Sequence, residues 1–428
     1  MNRILQRIRS NVLLKVTSVN SLSVGIKIIT GFVVSKALAI YVRPEGMALI
    51  GNLRDLITMI QSFSLLGIKN GVIKYVAEYK KKPIELREVL STSIIIGISS
   101  SLLLSVGIVL SAGFLSDYLF SSQAYKTAIR VLGICIPGYA AVLLLLDIIN
   151  GFSDVKRFVL INILGNLFGF ALTFYLIVAF QLQGAIYGLI LSPILLLIVT
   201  AILFKQGRAL NQVSILHASM KMIKNLGSYS LMALLSSLVL PFIYIAIRTM
   251  IIDRIGQDAA GYWTSMNRLA SYYFMFISSL LTLHVLPKLS GIHTAREFRR
   301  EIFHFYKTIL PFVAIGMVLI YITRDFIVQL VFTQEFLPMT TLFKWQLAGD
   351  FLKIMGIVVA HQFLAKNMLK HFIVTEILSI TVLGISSYVL VSLYGVEGAT
   401  MAHAFTYAIY LIVIWSIFRK QLFFSLKT

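Results

Sequence analysis

Long apolar runs separated by short polar or cationic connections recur along the whole chain. A helix of about 20 apolar residues crosses the roughly 30 Å hydrocarbon core of a bilayer. On that scale the pattern predicts twelve spans, at 16–41, 47–76, 88–114, 124–150, 157–180, 183–205, 226–252, 261–287, 302–323, 338–365, 370–394 and 397–418. The longest connection, Lys205 to Lys224, has about 20 residues, so no loop has room for a catalytic domain and the chemistry must sit in the membrane or at its faces. The apolar segment after Lys15 is too long for a signal-peptide core and reads as an uncleaved first span.

The two halves read as repeats. A shift of 214 residues, half of the 428, places Lys156 on Lys370, Phe158 on Phe372, Leu176 on Leu390, Gly184 on Gly398 and Ala185 on Ala399. It also pairs the connections Leu182-Gln183-Gly184-Ala185 and Val396-Glu397-Gly398-Ala399. Six spans per half make the repeats parallel, about an axis along the membrane normal. The expected fold class is an all-α polytopic membrane protein: 12 transmembrane helices in two pseudo-two-fold-related six-helix lobes with a central cavity. The expected boundaries are 1–210 for the N-terminal lobe, 211–225 for a cytoplasmic linker and 226–428 for the C-terminal lobe.

Composition agrees, with 58% hydrophobic and 13% charged residues and a mean hydropathy of +0.88. A net charge of +21 could point to nucleic acid, but Lys and Arg gather at span ends and no basic water-soluble domain is present. Membrane topology explains the charge better. Arg3, Arg7 and Arg9, Lys80-Lys81-Lys82 with Arg87, Lys156-Arg157, Lys205 and Arg208, Arg296, Arg299 and Arg300, Lys366 and Lys370, and Arg419, Lys420 and Lys427 mark the cytoplasmic side. Both termini should therefore be cytoplasmic, as an even number of spans requires. Cys135 is the only cysteine, which excludes disulfides and multi-thiolate metal sites within the chain.

Charges inside the spans carry the functional signal, because a central Lys or Arg costs about 2.5–3.5 kcal/mol in lipid and so faces a protein interior or a wet cavity. In the first span Asn20, Ser23, Lys27 and Thr30 fall within about 80° of a helical wheel. Arg54, Thr58, Gln61 and Lys69 share a face of the second span, with Lys74 near its cytoplasmic end. In the seventh, Ser230, Ser237, Pro241, Tyr244 and Arg248 align, and Pro241 is a possible hinge because it lacks an N–H. Each has a plainer reading: Lys27 snorkels, Arg54 and Asp55 find structural partners, Arg248 anchors the interface. In the tenth span Asp350 and Lys353 lie one turn apart, either as a local ion pair or as a protonatable pair that couples an ion gradient, H+ or Na+, to conformation. Lys27, Arg54, Lys69, Lys74 and Arg248 together make a site suited to anions and, through their N–H donors, to phosphate. No zinc-ligand spacing, phosphate-cradling glycine loop or nucleophile elbow is present, which argues against a metal site, a cofactor and an ATP-driven pump.

Two strings in the first half, Gly46-Met-Ala-Leu-Ile-Gly-Asn-Leu-Arg-Asp-Leu-Ile-Thr58 and Asn70-Gly-Val-Ile-Lys-Tyr-Val-Ala-Glu-Tyr79, resemble the Wzx-type polysaccharide flippases of Gram-negative inner membranes. Ser230-Leu-Met-Ala-Leu234, Arg324-Asp-Phe326 and Trp345-Gln-Leu-Ala-Gly-Asp350 continue the likeness over nearly the whole chain. The resemblance implies the fold of the multidrug/oligosaccharidyl-lipid/polysaccharide exporter superfamily. It also implies a cargo of undecaprenyl-diphosphate-linked oligosaccharide, an O-antigen unit or the common-antigen lipid, with a polymerase and chain-length regulator downstream. A cation-coupled drug exporter would be expected to carry an acid in its first span, where this chain has Lys27 and no Asp or Glu before Glu45. A membrane polymerase or glycosyltransferase would need the large loop that is missing.

Overall fold

The structure is a computed structural model, and it describes residues 12–204, 217–281, 285–292, 294–366 and 368–423. The predicted cytoplasmic cations Arg3, Arg7, Arg9, Lys205, Arg208 and Lys427 lie outside the described residues, as do residues 211–216 of the 211–225 linker. The described chain is almost entirely helical. It packs as two compact units, one of Met1–Val42 with Leu49–Phe242 and one of Arg43–Ala48 with Ile243–Thr428.

α1 (Val12–Tyr41), in the first unit, is followed at once by α2 (Arg43–Ser64), whose start, Arg43–Ala48, belongs to the second unit and whose remainder belongs to the first. The turn is made by Arg43, held at φ 61° ahead of Pro44, which disfavours the right-handed helical region for the residue before it. The second span, expected as one helix over 47–76, is broken. α2 gives way at Leu65–Ile68 to α3 (Lys69–Tyr79), bent by 42°. Lys80-Lys81-Lys82 then leads into α4 (Pro83–Leu110), whose proline occupies the first turn, where a missing N–H costs nothing. α5 (Ala112–Phe120) and α6 (Lys126–Gly151) follow. α7 (Val155–Leu203) starts at Asp154, whose carboxylate accepts from the Arg157 amide at 3.2 Å and pairs with its guanidinium at 2.7 Å. Its 49 residues would extend about 74 Å at 1.5 Å per residue, more than twice a bilayer core. Gln181, at φ 51° and ψ −124°, divides it, at the place where the sequence predicts the connection between the fifth and sixth spans.

α8 (Met220–Arg254) runs through Pro241 without a break and passes from the first unit into the second after Phe242. The second unit continues with α9 (Gln257–Leu280), α10 (Leu286–Gly291), α11 (Ala295–Thr308), α12 (Leu310–Ile322) and α13 (Arg324–Val331). Thr294 and Glu297 form a reciprocal capping box that fixes the start of α11. α14 (Phe343–Ala365), α15 (Leu369–Tyr394), α16 (Val396–Ile417) and α17 (Arg419–Leu422) complete the chain, with α16 packed on both α14 and α15.

Among the described residues eight helices are long and apolar enough to cross a membrane, or nine when the bent α2–α3 pair counts as one span. Large apolar side chains stand exposed along them, including Leu103, Leu110, Phe312 and Ile322. Water would penalise such a surface, and a bilayer accommodates it because the helices satisfy their own backbone. The molecule is an all-α, multi-pass membrane protein.

Candidate functional site

Two polar centres stand out, one in each unit. The first lies at the break in the second span. Leu66 and Gly67 take φ of 46° and 69°, so the helix ends, and α3 starts afresh with no side chain capping it. A fresh start inside a span leaves the first-turn N–H groups of α3 without intrahelical partners, with the positive end of the helix dipole at that point. Lys69 and Asn70 are exposed there, and Lys74, also exposed, lies five residues on, about 140° round the helix, with its ammonium 4.8 Å from the Tyr75 ring centroid. Glycine is required at Gly67 for the positive φ and for room: a Cβ would sit 2.8 Å from the Ser230 carbonyl oxygen of α8. Behind α3, Leu65, Ile68, Val72 and Val76 pack with Leu144, Ile148, Met222 and Leu226 into a continuous apolar core. Asp147 of α6 is buried near this core, within electrostatic reach of Lys69, and its Oδ2 has no hydrogen-bond partner among the described residues.

Lys27 is half-buried midway along α1. The polar stripe around it also does structural work, since Thr30 donates to the Ile26 carbonyl at 2.8 Å and accepts from the Asn166 amide of α7 at 3.0 Å. Arg54 is half-buried on α2. Four of the five predicted cations, Lys27, Arg54, Lys69 and Lys74, thus belong to the first unit, and Arg248 to the second. Arg248 is buried at 3% exposure. Its Nε donates to the Thr264 hydroxyl at 2.9 Å and its guanidinium lies 5.5 Å from the Trp263 ring centroid.

The second centre surrounds Asp350 on α14. Tyr273 of α9 donates its hydroxyl to Oδ2, Gln346 donates its amide to the same oxygen at 3.1 Å, and His403 Nε2 of α16 lies 2.9 Å from Oδ1. The carboxylate is buried and both oxygens are engaged. Burial disfavours the charge of a carboxylate unless partners compensate it, and here three do. Gly349 makes the approach possible, because a Cβ there would fall 2.4 Å from His403 Cδ2. Asp350 does not form the local ion pair with Lys353 that their spacing allows: among the described residues the basic side chain in contact with it is the His403 ring. Lys353 instead lies over two rings, 4.4 Å from the Phe274 centroid and 5.0 Å from that of Tyr407.

Sequence reasoning missed Arg268 and His403. Arg268, buried on α9, donates from Nε to the Tyr272 hydroxyl at 3.1 Å. It stands 214 residues after Arg54, so the internal repeat held the signal. His403 gave none, being 53 residues from Asp350 in an apolar run.

An all-helical, multi-pass chain with cations inside its spans and no extramembrane domain among the described residues has the build of a membrane transporter. Comparison with known proteins agrees and goes further. The model of the family described as polysaccharide biosynthesis protein matches residues 13–293. Lipid III flippases of Escherichia coli (strain K12) and Shigella flexneri are each 33% identical over 398 residues, 92% of this chain and 95% of theirs. The chain belongs to the polysaccharide biosynthesis protein family. Its fold is that of the MOP superfamily. An inward-facing multidrug resistance MATE family transporter of that superfamily matches with a TM-score of 0.79, at 14% identity, over 92% of this chain and 94% of its own. A MOP superfamily transporter from Pyrococcus furiosus, described as having a binding pocket of reverse polarity, matches with a TM-score of 0.70 and 15% identity, over 95% and 96%.

Proposed function

We propose that the protein flips undecaprenyl-diphosphate-linked oligosaccharide, the common-antigen lipid III before an O-antigen unit, from the cytoplasmic to the periplasmic face of the bacterial inner membrane. The observation that carries this reading is the half-helix start at Lys69. Transporters place such broken-helix N-termini against anionic groups of their substrates. Here Lys69 and Lys74 add two exposed cations to the same short helix, a match for a diphosphate. α3 ends at Tyr79, beside the Lys80-Lys81-Lys82 run that marks the cytoplasmic side, so the site lies about 15 Å from that face, within reach of a head group assembled there. The polyprenyl tail stays in lipid while the glycan occupies a wet interior, sparing the sugar a costly passage through hydrocarbon. Twelve spans in two six-helix lobes, both termini cytoplasmic, would work by alternating access, with Pro241 as a hinge, and would hand the product to a polymerase and chain-length regulator.

Reconstituted vesicles test it. Lys69→Gln with Lys74→Gln should slow flipping of the lipid-linked glycan at least tenfold, while Arg at both positions retains part of the rate; an unchanged rate in the Gln pair removes α3 from the site. Mass spectrometry of the lipid-linked glycan that accumulates on depletion identifies the cargo.

Coupling to H+ or Na+ is assigned to Asp350 with His403. Gln346 and Lys353 face the pair from α14, Tyr273 from α9, Tyr407 from α16 and Glu376 from α15. A proton taken up by the carboxylate would remove the charge that holds His403 and Tyr273, freeing α16 and α9 from α14. Folded Asp350→Asn should bind the lipid-linked glycan yet lose the dependence of its transport on an imposed pH gradient. Normal gradient dependence in that variant ends the coupling role.

A further inference from the structure

A groove of about 450 Å3 opens between α12 and α14 in the second unit, well away in sequence from the helix break and on the side of α14 that carries Lys344, Ala348 and Phe351 rather than Gln346, Asp350 and Lys353. Ala314, Val318 and Tyr321 form its other wall. The volume lies inside the range of about 300–1,000 Å3 typical of small-molecule sites. Its body is apolar, runs about 10 Å along α12 from Ala314 to Tyr321, and opens among exposed apolar side chains such as Ile315 and Leu319. Its polar end differs. Lys344 reaches into the groove and is exposed, with its ammonium 5.0 Å from the Trp345 ring centroid. Arg324 is pinned over Tyr321, its guanidinium carbon 4.5 Å from the ring centroid and Nη1 donating to the Tyr321 carbonyl at 2.8 Å. Asp325, 3.9 Å from Arg324 Nε and exposed, offsets only one of the two cations.

We infer that this groove holds an anionic phospholipid, one acyl chain between α12 and α14 and the head-group phosphate on Lys344 and Arg324. An apolar trough ending in two cations and flanked by Tyr and Trp has the polarity of a lipid at the membrane interface. Charge complementarity selects an anionic head group over a zwitterionic one, whose own cation would meet Lys344 and Arg324.

The test is binding of phosphatidylglycerol and of phosphatidylcholine with the same acyl chains to the purified full-length protein, followed by native mass spectrometry. Phosphatidylglycerol should bind at least fivefold more tightly. K344Q and R324Q should each cost about fivefold in its affinity, the equivalent of about 1 kcal/mol per cation near a charged lipid, without changing the thermal unfolding profile. A348W, which fills the trough, should abolish binding of both lipids. Equal affinity for the two lipids, or phosphatidylglycerol affinity unchanged in the K344Q/R324Q pair, overturns the inference. So does binding of undecaprenyl diphosphate that A348W blocks while phosphatidylglycerol still binds, since that result gives the groove to the tail of the transported lipid.

Discussion

At Gln181 the backbone takes φ 51° and ψ −124°, and 214 residues later, at Gly395, it takes φ 61° and ψ −145°. Three residues beyond each of these lies a glycine with no room for a side chain. A Cβ at Gly184 would fall 1.8 Å from the Leu176 carbonyl oxygen, and one at Gly398 would fall 2.0 Å from that of Leu390. The two turns are one design used twice. The helices they join carry different chemistry. Around Asp350 the second unit assembles Tyr273, Gln346 and His403; the equivalent positions in the first unit are Ile136, Met59, Leu132 and Leu189. Ile136 and Leu132 are wholly buried among apolar neighbours. The first unit instead has its exposed cations on α3. The copies share the helix packing and differ in electrostatics at these positions, which are polar and mutually bonded in the second unit and apolar in the first.

That contrast can be broken most severely at Asp350. Asp350→Ala leaves His403, Gln346 and Tyr273 buried without their shared acceptor and should cost about 3–5 kcal/mol of stability, whereas Ile136→Val at the matching position should cost about 1 kcal/mol. Thermal unfolding in detergent compares them, and equal losses would mean that the polar cluster is no more than core. Next come the turns. Gly184→Ala and Gly398→Ala each force a Cβ into backbone and should each cost about 3 kcal/mol, measured as loss of monodisperse folded protein. A large loss in one and none in the other would show that the turns are not equivalent. A smaller effect of opposite sign is expected at Gln181, a residue with a side chain in a region that glycine favours. Gln181→Gly should raise stability by about 1 kcal/mol, the strain relieved exceeding the added chain entropy, and Gly395→Gln should lower it by a similar amount. The smallest change in stability, within about 0.5 kcal/mol, belongs to Lys69→Gln and Lys74→Gln, because both side chains are exposed. A marked loss of stability there would make the α3 cations structural and remove the asymmetry between the units.

Much of the fold was legible because a bilayer sets helix length, and apolar runs near that length are hard to mistake. The repeat was legible where it needed glycine, at Gly184 and Gly398. The break in the second span was not, since Leu65-Leu66-Gly67-Ile68 is as apolar as its surroundings and only the glycine hints at a positive φ. Spacing placed Asp350 and Lys353 within one turn, but spacing says nothing about the rings of Phe274 and Tyr407 that take Lys353 or about the histidine on another helix that takes Asp350. Of the site residues, those on a single helix face could be read in advance. Those that meet only through packing could not.

Gly67 and Gly71 press α3 against α8 so closely that a Cβ on either would strike Ser230 or Leu226. At these two points α3 meets the α8 backbone or the Leu226 side chain directly, while Leu65, Ile68 and Val72 pack on Met222 and Leu226 around them. Bulk added at either glycine would be a mechanical lesion, prising α3 from α8 while leaving every charge in place.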